Sequence, residues 1–345
     1  MKEIRLGDYI EVLTDYHSGG SYKTLKENTK ILYKPNYAVF IRTLNFEKND
    51  FEHDLIYCDK SSYDFLKYSH LKENDILMNK IANPGSIYIM PKVDYLATCG
   101  MNLFLIRFKN INQRYMYYVM KNNESYIKQQ AHGTTTKTIT KDEVKNLNFS
   151  IHDTKYLQNK VEHFLTAIDS KIKINTKINT QLEALAKTIY DYWFLQFEFP
   201  NEEGKPYKSS GGKMVYNEQL KREIPEGWEV VMLSKISNMY QPNTFDAKLL
   251  KNNGKYMVYG AGGYMGQYDN YNHEEQEIFI SCRGSCGNIY KSMPKSLITG
   301  NAMIVHPDNN IIFHYLYLTL IRYGVKQCIT GTVQPQITRD NLKDW

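Results

Sequence analysis

Apolar residues recur in steps of three and four from residue 154 to residue 196, with no Gly or Pro inside the stretch. One row holds Val161, Ile168, Asn175, Leu182 and Ile189; the other holds Leu157, Phe164, Lys171, Ile178, Leu185 and Tyr192. This spacing predicts one long helix with a coiled-coil-type seam. About 43 residues at about 1.5 Å each would span roughly 64 Å, longer than a typical globular domain is wide. A helix of that kind needs a partner along its length. Lys171 and Asn175 intrude on the seam one turn apart, and polar seam residues fix register or partner choice at a cost in stability. The competing readings are a core-facing stripe in an ordinary domain and two shorter helices, since the β-branched, Asn-rich run 172–180 has poor helix propensity.

The segments around this helix carry a different pattern. In residues 1–150, short apolar runs at 38–44, 75–78, 86–90 and 102–108 alternate with polar turns and predict strands. Asn83-Pro84-Gly85 reads as a turn, 114–128 as a helix, and His132–Thr136 (HGTTT) as a polar loop. Residues 139–147 form a short helical turn that Thr140 caps with Glu143, a capping box. Residues 198–228 are rich in Gly, Ser, Pro and charge, and read as a linker or as an ordered loop laid over a surface. A second block, 229–345, carries apolar runs at 255–265, 277–290 and 296–306, then a helix at 314–323.

The two blocks are a repeat. GTTTKTITKDEVKNL (133–147) aligns with GTVQPQITRDNLKDW (331–345), and ILMNKIANPGSIY (76–88) with IFISCRGSCGNIY (278–290). The order is the same in both: Gly-bearing hairpin, strand, helix, GT loop, IT turn. The expected fold is α+β, with two duplicated mixed α/β blocks separated by a long coiled-coil-type spacer helix at 151–197. A duplicated module at each end of a rod suggests a reader of two separated sites.

Composition narrows the partners. The net charge is +6 and the pI about 8.7, a mild lean toward a polyanion. The 29 tyrosines, with abundant Asn and Lys, fit the codon bias of an AT-rich genome. Five cysteines without regular spacing argue against a disulfide framework or a zinc site and for reduced thiols in a cytoplasm. No run of about 18 apolar residues exists, so a spanning helix and a membrane role are excluded.

Chemistry is expected elsewhere. Asn83-Pro84-Gly85 lacks the second Pro and the aromatic of an amino-methyltransferase turn. YGAGGYMG (259–266) lies between β-like runs and does not open a helix, so it reads as a hairpin turn and not as a phosphate cradle. Glu202, Glu203 and Lys205 mimic part of a nuclease signature but sit in the linker, and the nine histidines have no metal-ligand spacing.

Taken together, the repeat, the helix end LEALAKTIYDYWFLQFEFP (182–200), the segment GKPYKSSGGKMVYNEQLKREIPEGWE (204–229) and the run 255–290 make this sequence resemble the specificity subunit of type I restriction–modification systems. The resemblance covers nearly the whole chain. It implies a non-catalytic protein with two target-recognition domains, each reading one half of an interrupted DNA target. The helix would act as ruler and docking site for methyltransferase subunits, which restriction/translocase subunits join. S-adenosylmethionine would then belong to the methyltransferase subunits, ATP and magnesium to the restriction subunits, and no cofactor to this chain. Members of the family carry a second helix after the second recognition domain, and this sequence stops at Trp345, where it would begin. The expectation is a partner helix supplied in trans, by a second copy or another subunit. The alternatives are a self-associating coiled-coil adaptor and a truncated, partly inactive subunit.

DNA readout needs donors and acceptors at base edges, backed by Lys and Arg on phosphates. The loops of the first block offer Lys80, Asn83, Ser86, Thr134, Thr135, Thr136 and Lys137. Those of the second offer Arg283, Ser285, Asn288, Thr332, Gln334, Gln336 and Arg339, with Tyr259, Tyr264 and Tyr290 packing on the sugar–phosphate edge. Arg283 is the foremost candidate for base reading, since Arg can pair bidentately with guanine.

Overall fold

The computed structural model describes residues 1–134 and 136–345, which divide into two compact units, Met1–Asn175 and Thr176–Trp345. Each combines sheet and helix.

In unit 1, β1 (Lys2–Arg5), β2 (Ile10–Asp15), α1 (Tyr22–Asn28), β3 (Ala38–Ile41), α2 (Thr43–Glu47), β4 (Ile56–Cys58) and α3 (Lys60–Phe65) come first. Then follow β5 (Ile76–Asn79), β6 (Ile87–Ile89), β7 (Ala97–Cys99), β8 (Leu103–Phe108), α4 (Gln113–Asn122), α5 (Glu124–Gln129), α6 (Lys141–Lys145) and β9 (Asn148–Ile151). The central sheet has the order β2-β8-β5-β6, and a second sheet the order β4-β3-β7. Strand side chains alternate faces, so the apolar run of β5 serves two cores at once. Ile76 and Met78, with Phe104 and Ile106, meet Met116, Met120 and Ile127 of α4 and α5. Leu77, with Leu103 and Leu105, meets Val39, Ile41, Ala97 and Cys99 of the second sheet. Each fully buried Leu or Ile stabilises this sandwich by about 1.5–3 kcal/mol.

The single helix expected over 114–128 is two. Asn123 adopts φ −106° and ψ 19°, and its side chain donates to the Val119 carbonyl at 2.8 Å, which ends α4. Glu124, at the start of α5, accepts from the Ile87 backbone N–H at 2.8 Å and so ties that helix to β6. The strand expected to reach residue 44 stops at Ile41, because Asn45 accepts from the Arg42 backbone N–H at 2.9 Å and starts α2.

The long helix is one element. α7 runs from Lys155 to Tyr190 and ends in a π turn, Asp191–Leu195. Its first turns dock on unit 1 through a polar face beside the apolar seam. Gln158 donates to the His152 carbonyl at 2.8 Å, buried Glu162 lies 3.6 Å from Arg114, and the Tyr118 hydroxyl donates to Asp169 at 2.7 Å. Of the expected seam, Val161 is half-buried against the unit 1 core. Leu157, Phe164, Ile168, Lys171, Asn175, Ile178, Leu182, Leu185, Ile189 and Tyr192 are exposed, and so is every residue from 167 to 189.

Unit 2 continues with β10 (Met214–Asn217), β11 (Arg222–Pro225), β12 (Ser237–Tyr240), β13 (Tyr256–Gly260), β14 (Gly263–Tyr268), β15 (Ile278–Ser281) and β16 (Ile289–Lys291). It closes with β17 (Leu297–Ile298), β18 (Ala302–Pro307), α8 (Phe313–Tyr323), β19 (Ile329–Thr330), β20 (Gln336–Ile337) and α9 (Arg339–Leu342). The sheets β12-β18-β15-β16 and β14-β13-β17 repeat the orders of unit 1. The faces repeat as well: Ile278, Ile280 and Val305 meet Leu316 and Leu320 of α8, while Phe279 and Ile304 meet Tyr259 and Ile298.

Residues 198–228 are an ordered part of unit 2. Trp228 stacks on Phe199 at 5.4 Å, Phe199 stacks on Tyr207 at 4.7 Å, and Arg222 lies 4.6 Å from the Phe197 ring centre. Beside them the buried Tyr190 at the end of α7 shares a hydrogen bond with Thr319 of α8 at 2.9 Å. This aromatic packing fixes the last turn of the helix on unit 2.

Candidate nucleic-acid interface

Backbone geometry explains why the GT loops recur. Gly133 has φ +113° and Gly331 φ +87°. A Cβ on Gly133 would sit 2.5 Å from the Thr136 carbonyl oxygen, and one on Gly331 would sit 2.6 Å from that of Gln334. Only Gly allows this closure, so the loop curls back on itself three residues later in both units.

The curled loop then pairs with the neighbouring hairpin. In unit 1 the Ile139 N–H donates to the Lys80 carbonyl and the Ala82 N–H to the Lys137 carbonyl, both at 3.1 Å. In unit 2 the Ile337 N–H donates to the Cys282 carbonyl at 3.1 Å, and Arg283 bridges Gln336. The β5–β6 tip and the first GT loop thus share one edge, as do the β15–β16 tip and the second GT loop. The IT turns that follow are capped alike: Thr140 accepts from the Glu143 N–H and Thr338 from the Asn341 N–H, each at 3.3 Å.

The structure sorts the candidates. On the unit 1 edge, Asn83, Thr134, Thr136 and Lys137 are exposed; Thr135 lies outside the described residues. On the unit 2 edge, Arg283, Ser285 and Asn288 from the hairpin and Thr332, Gln334, Gln336 and Arg339 from the loop and α9 are exposed. Tyr264, at the β13–β14 turn, is also exposed.

Four candidates require correction. Lys80 is buried, with its ammonium 2.6 Å from Asp15, 3.1 Å from His17 and over the Phe104 ring at 5.5 Å, so it cannot reach a phosphate. Ser86 is buried where the hairpin re-enters the sheet, its carbonyl accepting from the Asn79 N–H at 2.9 Å. Tyr259 is a core residue packed on Phe279, with its hydroxyl 3.2 Å from the Met257 sulfur. Tyr290 is half-buried and stacks on Phe279 at 5.3 Å, and it also touches the place a Cβ on Gly263 would occupy. Lys80 and Ser86 look like loop residues in the sequence, yet both sit at the sheet-facing ends of the hairpin loop.

The sequence reading missed the groups around Lys80. Asp15 ends β2, and besides Lys80 it meets Lys141 of α6 at 3.1 Å. Burial alone would raise the Asp15 carboxyl, but the two ammonium groups outweigh it and hold it below the usual 3.8. Burial and the charge on Lys80 push the His17 imidazole below its ordinary range. This cluster fastens β2, the hairpin and the start of α6 together beneath the exposed edge. The signal available in the sequence was Asp15, two residues before His17, among polar residues at the end of an apolar run.

Chemically, each edge is a rigid main-chain platform carrying amide, hydroxyl and cationic tips. Such tips donate and accept hydrogen bonds at base edges and phosphates.

Similar proteins bear on this arrangement. A family model described as the type I restriction modification DNA specificity domain matches residues 1–184 and 225–345. The type I restriction enzyme MjaIX specificity subunit of Methanocaldococcus jannaschii is 27% identical over 198 residues, which cover 52% of this chain and 43% of that protein. The type I restriction enzyme HindI specificity subunit of Haemophilus influenzae is 27% identical over 194 residues, 53% of this chain and 41% of that one. The matched stretch is thus less than half the length of either relative. The crystal structure of the type I restriction–modification system S subunit from M. genitalium shares the fold, with a TM-score of 0.55 at 17% identity, over 93% of this chain and 76% of that one. Among the described residues no helix is long and apolar enough to cross a membrane. With the family model matching both units, the chain belongs to the type I restriction modification DNA specificity family.

Proposed function

We propose that this chain is the sequence-reading subunit of a type I restriction–modification enzyme and that each unit reads one half of an interrupted duplex target. The observation that carries this reading is the edge repeated in both units, where a hairpin tip and a GT loop are joined by main-chain hydrogen bonds and expose mostly polar and cationic tips, with Val333 the exposed apolar exception in unit 2. In this reading α7 sets the distance between half-sites and docks methyltransferase subunits, which restriction/translocase subunits join. The chain itself does no chemistry: S-adenosylmethionine is bound by the methyltransferase subunits, ATP and magnesium by the restriction subunits. The test is the genomic methylation pattern in cells with and without this chain, in the presence of its methyltransferase. An interrupted motif methylated in both halves, and lost with the chain, is the expected result; an unchanged pattern would overturn the reading.

A second reading rests on the exposed stripe of α7. Ile168, Ile178, Leu182 and Leu185 lie on a helix whose residues 167–189 are all exposed. Apolar rows of this length are covered in working proteins, so a self-associating coiled-coil adaptor is the alternative. Sedimentation at several concentrations separates the two: concentration-dependent dimers favour association through the stripe, and a monomer at every concentration excludes it.

A further inference from the structure

Between β2 and β3, residues 20–37 hold four lysines and three tyrosines against a single acid, Glu27. Leu25 of α1 is buried and pins this segment to the core, leaving Tyr22, Lys23 and Lys26 outside. The strap that follows is held at two points: the Lys30 N–H donates to Ser62 at 2.9 Å, and Leu32 and Tyr57 exchange main-chain hydrogen bonds at 2.8 Å. Tyr33, 80% exposed, and Lys34 are therefore presented from an anchored strap. Tyr68 stands nearby at 62% exposure, in a shallow cleft it lines with Gly19 and Asp15, and Lys67 lies 5.1 Å from its ring.

Charge pairing separates these lysines into two groups. Lys30 meets Asp59 at 3.6 Å and Lys60 meets Asp64 at 2.5 Å. Lys23, Lys26 and Lys34 make no ion pair within 4 Å among the described residues. The surface thus offers three uncompensated ammonium groups interleaved with exposed aromatic rings. Cations on phosphates supply the sequence-independent part of duplex binding, and rings standing beside them can pack on the sugar edge of the backbone. The patch also adjoins the reading edge of unit 1. The turn Tyr16–Gly19 leads directly into it, and that turn places Ser18 at 3.3 Å from Lys141 and His17 at 3.1 Å from Lys80. The matching segment of unit 2, residues 241–255, has three lysines and no tyrosine; Lys251 is paired with Asp269, and Phe245 packs on Tyr268.

We propose that the Lys/Tyr surface of α1, the strap and Tyr68 is a second, sequence-independent grip on the phosphate backbone of duplex DNA, present in unit 1 and absent from unit 2. The proposal rests on the DNA-recognition reading above. The test uses the full chain with its partner subunits and a labelled duplex of random sequence. Affinity is measured over a series of salt concentrations for the unaltered chain and for Lys23→Gln/Lys26→Gln/Lys34→Gln. The expected result is a salt slope shallower by about 2–3 in the triple variant, since each phosphate contact contributes about 0.9 to it. The methylated motif and the melting temperature should stay the same, because the changed lysines are exposed and lie off the reading edge. Lys248→Gln/Lys251→Gln/Lys255→Gln in unit 2 should change the slope by less. An unchanged slope in the first variant, with wild-type DNA binding intact, would overturn the grip and leave the recognition reading standing. A changed methylation motif would show that the surface reads bases and would also overturn it. Loss of a partner subunit with an unchanged DNA slope would assign the surface to an acidic protein and overturn it likewise. Failure of the unaltered complex to bind any duplex would overturn both readings.

Discussion

Unit 1 closes the base of its β5–β6 hairpin with a buried ion pair, Lys80 to Asp15; unit 2 puts Cys282 against Gln241 at the corresponding place, with the amide 3.0 Å from the sulfur. The same contrast recurs at the far end of the central sheet. Arg107 grips Asp75 through two hydrogen bonds of 2.6 and 2.7 Å, where unit 2 has His306 beside Glu277 at 2.9 Å. The strand orders, the curled glycine and the main-chain junction are common to both. Duplication has kept what the backbone needs and let the side-chain fastenings diverge, so the two units should fail under different conditions.

The largest expected difference comes from the hairpin base. Lys80→Met leaves the buried Asp15 carboxylate without its nearest cation, with Lys141, Ser18 and His17 as its remaining neighbours, at a cost of about 3–5 kcal/mol. Cys282→Ala removes one buried sulfur and costs about 1 kcal/mol. Denaturant unfolding of each variant checks this, and equal losses would mean that the ion pair adds nothing over the thiol–amide contact.

A smaller effect is expected at the exposed tips. Arg283→Ala should cost about 1–3 kcal/mol of binding at a single base position and leave the other half-site unaltered. Methylation-motif sequencing would contradict this if both halves relaxed together or neither did. Tyr259→Ala, by contrast, should lower the stability of unit 2 and not its sequence preference, because that ring is core.

Acid tests the comparison next. His273 of unit 2 is buried between Asn272 at 2.6 Å and Tyr240 at 3.1 Å. Burial holds its imidazole below the ordinary 6.5. Its contribution to stability is therefore full above pH 6.5 and is lost as pH falls through the lowered value, by at most about 1.4 kcal/mol per pH unit. Burial raises the Glu277 carboxyl above its usual 4.5 against the pull of His306, and the sign is opposite: its contribution is full below 4.5 and is lost as pH rises through the raised value. Asp15 of unit 1 is held below 3.8, so its contribution persists through this range and goes only in stronger acid. On acidification from about pH 7, His273 weakens unit 2 while His17, also held below 6.5, weakens unit 1, and Glu277 works the other way in unit 2; thermal melts of the chain and of His273→Gln would show the slope flatten in the variant. The smallest contrast is between the caps: Thr140→Ala and Thr338→Ala should each cost about 1 kcal/mol, to nearly the same extent. A melt that separates them by more would break the equivalence of the two IT turns.

Much of this was legible in the sequence wherever local chemistry decides. α7 follows from its apolar period and the absence of Gly and Pro, the repeat from its aligned strings, and the cap from Thr140 and Glu143. What escaped depends on partners distant in sequence. Lys80 was read as a loop cation because Asp15 lies 65 residues away. Tyr259 was read as exposed because its burial depends on Phe279 and Ile298 arriving from other strands. The polar docking face of α7 was hidden for the same reason: Gln158 and Glu162 lie off the apolar rows, and their partners Asn112 and Arg114 come from an earlier part of the chain. The aromatic order of 198–228 was masked by glycines and charges that dominate its composition.

The junction between hairpin and GT loop is built from main-chain atoms, Ile139 to Lys80 and Ile337 to Cys282. Substitution replaces side chains and leaves those atoms in place. The tips can therefore drift without loosening the frame that aims them, and under the proposed reading a new preference for bases can be reached through folded, working intermediates. In a protein that reads DNA as proposed, the letters that choose bases and the grammar that holds them in place would occupy different parts of the same residues.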